Sequence, residues 1–377
     1  MGHALLSASG ASRWMACPPS ARAEAVLPET YSQYAEEGTL AHALAELQLL
    51  RILGRISVKD HSLKLEQIKK EKLYEAQMLD YVEEYTDAVT ERISAAKKPQ
   101  VLLEETLDFS KYVPEGYGTG DVVIIYDGTV EVIDLKYGKG VKVSAEGNPQ
   151  MRLYGLGALE TYDAIYDIKA VRTTIIQPRL GHLSAEELTA EELRRWAREE
   201  VQPAAKLAHE GVGDFNPGEH CRFCKLGGSC RKRAEENLKL ARYEFREPAQ
   251  LSPDEISDIL EKVESLTNWA NAVKSHALKE AERGVKLPGY KLVEGRSTRR
   301  YTDEAAIAAK LKKSGIEDVW EKSLIGLTKM EKKLGKKKTQ DLIGDFIIKP
   351  PGKPALAPLA DKRPEYNSAA ADFKEEK

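Results

Sequence analysis

Asp121, Asp134 and Lys136 are the residues whose types and spacing most directly imply chemistry. They lie in GTGDVVIIYDGTVEVIDLK, the stretch from Gly118 to Lys136. It reads as two apolar strands, Asp121–Tyr126 and Thr129–Lys136, joined by Asp127-Gly128. That dipeptide suits a two-residue hairpin, because both turn positions need positive φ. In this register Tyr126 faces Thr129, Ile125 faces Val130, and Asp121 falls opposite Asp134. Two facing carboxylates repel and weaken a sheet unless a cation sits between them. Lys136, two residues beyond Asp134, projects from the same face. An acidic pair for a divalent metal with an adjacent lysine is a hydrolytic constellation: the metal polarises a phosphate, and the lysine orients or deprotonates water. The alternative is a surface Asp–Lys pair on an ordinary hairpin.

Four cysteines, Cys17, Cys221, Cys224 and Cys230, form the second group. Three are spaced C-x2-C-x5-C, and Cys17 lies about two hundred residues upstream. Close spacing of this kind points to metal rather than to a secreted disulfide framework. Four thiolates fit Zn2+ or a 4Fe-4S cluster, and His220 beside Cys221 keeps a Cys3His zinc site open.

Several elements must position these residues. TLAHALAELQLLR, from Thr39, has the apolar spacing of a helix with Thr39 as N-cap and His42 in its first turn. A lone histidine there is commonly structural or solvated. Residues 62–97 read as charged helix, and Val101–Phe109 as a strand entering the sheet. Glu105 on that strand points either at the metal site or outward. Asn148-Pro149 opens a helix, with Asn as cap and Pro at its first position. Gln150 and Tyr154, four apart on that helix, share a face. They could grip a nucleic-acid strand; alternatively Tyr154 is core and Gln150 a satisfied amide. Val171–Gln177 reads as a strand, Leu183–Glu210 as a helical region, and Ser252-Pro253-Asp254-Glu255 as a capping box opening a long helix.

The 377 residues allow a sizeable core and two units, and the formal net charge of −3 supplies no bulk attraction to nucleic acid. Basic clusters at Lys291–Arg300, Lys310–Lys313 and Lys332–Lys338 are local; such runs are more often solvated faces. No apolar run is long enough to span a bilayer, and no signal-peptide pattern opens the chain, so a cytoplasmic protein is expected. From Pro350 the composition turns Pro/Ala/charged, as in an extended or flexible tail. The signatures of P-loop motors, H-E-x-x-H metalloproteases and G-x-S-x-G hydrolases are absent.

His42, Gly120-Asp121, Asp134-Leu135-Lys136 and Gln150-x-x-x-Tyr154 stand in the order and approximate spacing of RecB-type PD-(D/E)xK nucleases, which this sequence resembles over about residues 1–240. Cys17 with the downstream cysteine trio resembles the iron–sulfur staple of AddB-type and CRISPR-associated RecB-like exonucleases. The opening with Cys17-Pro18, Gly138-Lys139-Gly140 and Gly352-Lys353-Pro354 resembles a phage and prophage family labelled uncharacterised. Gly120 departs from the pattern, standing where the motif names proline.

The resemblance implies an α/β, restriction-endonuclease-like fold: a mixed β-sheet core flanked by helices, with a helical C-terminal extension. It implies a nuclease domain over 1–240 closed by the four cysteines; the helical pattern, basic clusters and composition beyond it read as a locally basic helical extension over 241–349 and a flexible tail over 350–377. His42, Asp121 and Asp134 would ligate Mg2+ or Mn2+, with Glu105 and the Leu135 carbonyl as further ligands. Lys136 would serve the attacking water, and Gln150 and Tyr154 would hold DNA. The cysteines would carry a 4Fe-4S cluster, Zn2+ being the alternative. The implied activity is a metal-dependent DNA exonuclease acting on single strands or ends in phage recombination or DNA processing. A phage recombination or single-strand annealing protein is the implied partner. The competing reading is a non-catalytic DNA-binding or recombination-partner protein on the same stapled fold.

Overall fold

A computed structural model describes residues 4–28, 33–239, 252–295, 300–316, 327–348, 354–358 and 363–365. Two compact units emerge, Met1–Trp269 and Ala270–Lys377.

The first unit is built on one five-stranded sheet. In chain order it contains α1 (Ala11–Ala16), α2 (Ser20–Ala25), α3 (Gln33–Ile52), α4 (Val58–Ile68), α5 (Ala76–Ala95), β1 (Gln100–Asp108), β2 (Tyr117–Tyr126) and β3 (Thr129–Leu135). These are followed by α6 (Pro149–Tyr166), β4 (Ala170–Gln177), β5 (His182–Thr189), α7 (Ala190–Trp196), α8 (Gln202–Glu210) and α9 (Arg231–Leu238). The strands lie in sequence order. Neighbours are antiparallel except β3 and β4, which are parallel and need α6 as their crossover. The sheet is therefore mixed and flanked by helices, the α/β architecture expected from the sequence.

Two apolar cores sandwich it. On one face Val123, Ile125, Val130 and Val132 pack with Met151, Leu153 and Leu156 of α6, and Trp14 and Trp196 belong to the same core. On the other face Val122, Ile124, Ile133 and Leu135 pack with Leu44 and Leu49 of α3 and with Met78, Val82 and Tyr85 of α5. The strands are apolar on both faces because both are covered.

The β2–β3 hairpin forms in the expected register, Tyr126 opposite Thr129 and Ile125 opposite Val130. Its turn residues Asp127 and Gly128 both take positive φ, 41° and 72°. Asn148 caps α6 through its side chain, which accepts from the Gln150 and Met151 N–H groups. The box at Ser252–Glu255 also forms: the Glu255 N–H donates to Ser252 Oγ, and the Ser252 N–H to Glu255.

Three local expectations give way. Thr39 lies inside α3, which begins at Gln33, and its hydroxyl donates back to the Ala35 carbonyl at 3.1 Å instead of capping. The stretch over 62–97, expected to be charged and helical, is helical as expected but divided between α4 and α5, with residues 69–75 between them. His182–Thr189 is an edge strand rather than helix: its exposure alternates residue by residue, and the helix start is set by a capping box at Thr189 and Glu192.

The helix α10 (Pro253–Glu282) begins in the first unit, and the second unit holds its end from Ala270, then β6 (Tyr290–Glu294), β7 (Arg300–Tyr301), α11 (Glu304–Lys313), α12 (Leu327–Leu334), α13 (Lys336–Ile343), β8 (Ile347–Ile348) and β9 (Pro354–Pro358). Ile307, Leu311, Met330 and Ile343 form its small core. The expected flexible tail over 350–377 is corrected in part. Residues 354–358 pair antiparallel with β6, and both prolines sit at the strand's ends, where the ladder tolerates them. Most of the rest of that tail, and 296–299 of the first basic cluster, lie outside the described residues.

Candidate metal and cysteine sites

The acidic site forms where two strands lose their alternation together. Leu103 packs in the α3–α5 core, yet Glu104, the next residue, also reaches that side; its φ is +49°. Opposite it on β2, Val122 packs in the same core while Asp121 turns to α3 as well. Matched irregularities of this kind re-aim side chains that strict period-two pleating would send to the opposite face.

Asp121 Oδ1 lies 3.0 Å from His42 Nδ1, and Asp121 Oδ2 accepts from the Leu135 N–H at 2.7 Å. Ligand atoms of His42, Glu104 and Asp121 all lie within 4.8 Å of one another. Together with Ala45, Glu46, Leu49, Tyr85 and Leu135, they line a cavity of about 10 Å³, a size that admits one water or ion.

The expected facing pair, Asp121 against Asp134, is corrected. The β2–β3 ladder ends at Val122 opposite Ile133, and Asp121 is spent on His42 and the Leu135 N–H. Asp134 is 4 % exposed and forms a 2.8 Å ion pair with Lys136. Lys136 Nζ also donates to Gln150 Oε1 at 3.2 Å, and Gln150 Nε2 donates to the Tyr154 hydroxyl at 3.2 Å. The expected i,i+4 pair on α6 thus exists as a relay ending at Lys136. Tyr154 is itself part of the core on that side. A Cβ on Gly118 would come within 2.5 Å of the Tyr154 ring, so glycine on β2 makes room for that ring.

Electrostatics tie the two halves into one site. Burial pushes the Asp134 carboxyl up, Lys136 opposes this, and Asp121 adds repulsion. Burial pulls Lys136 down, but the Asp134 charge and hydrogen bond outweigh it and leave the ammonium raised. For His42, burial works downward, while the hydrogen bond and charge of Asp121 carry the net shift upward. Loss of solvent pushes Glu104 up to about 7, and repulsion from Asp121 and Glu46 adds to it. Carboxylates with one imidazole form a donor set that fits Mg2+ or Mn2+.

Glu105, expected as a ligand, is not at this site. The slip at Glu104 leaves Glu105 on the α6 side, where it accepts from the Tyr162 hydroxyl at 2.7 Å. Its neighbour Glu104 takes the place assigned to it. Glu46 had a signal that the sequence reading passed over, since it lies four residues from His42 on one helix. Positive φ at a glutamate has no such signal.

All four cysteines are free and line a second cavity of about 10 Å³, joined by Arg13, Ser20, His220 and Arg233. Residues from both ends of the unit hold it together. The Asn216 N–H reaches Cys17 Sγ at 3.4 Å, and the Gly218 N–H reaches Cys221 Sγ at 3.4 Å. Buried Glu24 pairs with Arg13 at 2.7 Å and accepts from the Lys225 N–H. Arg233 Nη1 donates to the Cys221 and Gly227 carbonyls, while its Nε and Ser20 Oγ are buried and without a hydrogen-bond partner. Burial pushes the Cys224 thiol up to about 12, with Glu24 adding to it. At Cys221 burial is outweighed by His220, the Gly218 N–H and Arg233, which bring the thiol down. Thiolates fit zinc or iron–sulfur. No three of the sulfurs lie mutually within 4.8 Å.

The family model described as "Protein of unknown function (DUF2800)" matches residues 3–364. The chain belongs to that family. Among solved structures, that of SSO0001 is similar over 58 % of this chain and 96 % of its own, at 12 % identity and a TM-score of 0.22. No helix among the described residues is long and apolar enough to cross a membrane.

Proposed function

We propose that this chain is a divalent-metal-dependent deoxyribonuclease, an exonuclease acting on single strands or DNA ends in phage recombination or DNA processing. The observation that carries the reading is the convergence of His42, Glu104 and Asp121 within 4.8 Å, beside the buried Asp134–Lys136 pair. Its substrate class comes from the sequence resemblance to RecB-type nucleases.

His42, Glu104, Asp121, Asp134 and the Leu135 carbonyl would hold Mg2+ or Mn2+, which when bound polarises the phosphate and acidifies a water. Lys136, anchored by Asp134 and Gln150, orients the attacking water and balances charge on the non-bridging oxygens. The water oxygen would bond to phosphorus in line as the bond from phosphorus to the leaving sugar oxygen breaks, the water giving up a proton to solvent and the leaving oxygen taking one from solvent. Gln150 and Tyr154 hold the strand beside Lys136. A phage recombination or single-strand annealing protein would be the partner handling the strand, within a bacterial or phage-infected cytoplasm.

The four cysteines would hold a 4Fe-4S cluster in preference to Zn2+. The preference rests on the sequence resemblance and on the spacing of one distant cysteine with a close trio, unlike the paired C-x2-C units usual for zinc. The cluster's role is a clamp joining α1–α2 to the 214–233 segment; hydrolysis moves no electron.

The test is degradation of end-labelled single- and double-stranded DNA with Mn2+ or Mg2+ by the wild type and by Asp134→Asn. Metal-dependent loss of label that the substitution abolishes is expected. No degradation under any metal sinks the enzymatic reading and leaves a non-catalytic DNA-binding protein. Anaerobic purification should give brown protein containing iron; colourless protein with stoichiometric zinc refutes the cluster.

A further inference from the structure

Residues 138–147 leave the end of β3 just past Lys136 and enter α6 just before Gln150, yet the proposed reaction gives them no part. They form neither helix nor strand. Side chains fix them all the same. On the near side the Lys136 N–H donates to the Ile176 carbonyl at 3.0 Å, and Tyr137 is buried against Arg179, whose guanidinium lies 4.7 Å from the ring centre and pairs with Glu37 at 2.8 Å. On the far side buried Gln177 holds the loop with both ends of its amide. Its Nε2 donates to the Val141 carbonyl at 3.0 Å, and its Oε1 accepts from the Val143 N–H at 2.7 Å. Ser184 Oγ then accepts from the Ala145 N–H at 3.0 Å, and Glu186 from the Gly147 N–H at 2.9 Å.

Between these anchors stands a hoop, Gly138-Lys139-Gly140-Val141-Lys142, exposed throughout. The N–H groups of Gly138, Lys139 and Gly140 donate to no protein group, and neither lysine has an ion-pair partner among the described residues. The fold itself does not require the two glycines. Neither takes positive φ, and a Cβ on either would meet nothing within 4 Å. Bare backbone at both positions instead leaves room for a ligand to approach closely.

Successive open N–H groups flanked by lysines suit an anion with several oxygens. In a chain of formal net charge −3, attraction to a phosphodiester must come from such local charge. Lys136 stands two residues before Gly138, so an anion held on the hoop lies beside the proposed reaction site.

We propose that residues 138–142 grip the DNA backbone next to the phosphate at Lys136, with Lys139 and Lys142 as cationic contacts and the N–H groups of 138–140 as donors. Anchored on both sides, the hoop fixes the strand's register, so that the scissile phosphate arrives at Lys136. The inference rests on the proposed deoxyribonuclease reading.

The experiment follows the anisotropy of fluorescein-labelled oligodeoxythymidine with the full chain across a range of KCl, Ca2+ replacing Mg2+ to suppress hydrolysis. Each phosphate contact on a single strand contributes about 0.7 to the slope of log affinity against log salt. Lys139→Gln/Lys142→Gln should therefore make the slope shallower by about 1.4, and Lys139→Arg/Lys142→Arg should keep it. Gly138→Ala/Gly140→Ala should raise the Kd about tenfold at an unchanged unfolding midpoint. Lys97→Gln/Lys98→Gln makes the same charge change at exposed lysines beside the hairpin-turn end of the sheet, away from Lys136, and should leave the slope alone. A wild-type slope in the hoop glutamine variant overturns the grip, as do alanine variants that bind like wild type. Equal loss in the Lys97/Lys98 variant also overturns it, by reducing the effect to bulk charge. Wild type that binds no DNA defeats the deoxyribonuclease reading itself, and this inference with it.

Discussion

The acidic cavity and the cysteine cavity are similar in volume, about 10 Å³ each, and opposite in construction. The acidic site draws on α3, α5 and three adjacent strands, and its donors are hard oxygens and one imidazole. The cysteine site draws on the two ends of the unit, about two hundred residues apart, and its donors are soft sulfurs. The difference teaches a division of labour. Negative charge crowded onto a sheet costs stability that a cation returns, so the acidic site is suited to reaction chemistry. Thiols drawn from distant segments restrict the chain, so the cysteine site is suited to holding it closed.

Four perturbations sharpen or break this contrast. Removing one sulfur should have the largest effect. By analogy with cross-links closing a loop of this length, Cys17→Ser should cost roughly 5 kcal/mol, read as a lower unfolding midpoint in cofactor-loaded protein. An unchanged midpoint would show that the cysteine site does not clamp. Asp134→Asn should lower metal-dependent DNA degradation on the order of a thousandfold while leaving iron content and absorbance untouched; loss of iron as well would mean that the two sites are not separable. Gly118→Ala should displace the Tyr154 ring, because the new Cβ would lie 2.5 Å from it. About a tenfold loss of activity is expected, since small misplacements near reacting groups are costly, and parallel kinetics of Tyr154→Phe would distinguish ring position from hydroxyl loss.

The smallest effect lies outside both cavities and serves as their control. Arg152 forks onto Glu186 at 2.9 and 2.6 Å. Burial acts to raise the Glu186 carboxyl, but Arg152 and the Gly147 N–H outweigh it and hold it below the ordinary carboxylate range. A depressed folded-state pKa stabilises the fold above the unfolded value, and that contribution disappears as pH falls through the folded one. Glu186→Gln should therefore cost about 1 kcal/mol near neutral pH and nothing once the wild-type carboxyl is protonated. Unfolding midpoints compared between pH 7 and pH 3 check the sign, with cluster and metal content constant at pH 7.

What the sequence determined by itself is local. Asp127-Gly128 sets the hairpin and its register, because few residues accept two successive positive φ angles. Asn148-Pro149 starts α6 and carries Gln150 and Tyr154 onto one face, and the doubly apolar β2 and β3 announce a sheet covered on both sides. The types and spacing of Asp134, Lys136 and the four cysteines already mark them as candidate site residues. Only the tertiary structure decided which glutamate stands at the site, that Asp121 pairs with His42 rather than facing Asp134, and that Tyr85 lies buried against the same cavity. The reason is physical: period-two alternation holds only while a strand stays regular. Glu104 at φ +49° and Asp121 beside it give way together, a strain that neighbouring strands and packed helices impose and that no residue's own preference records.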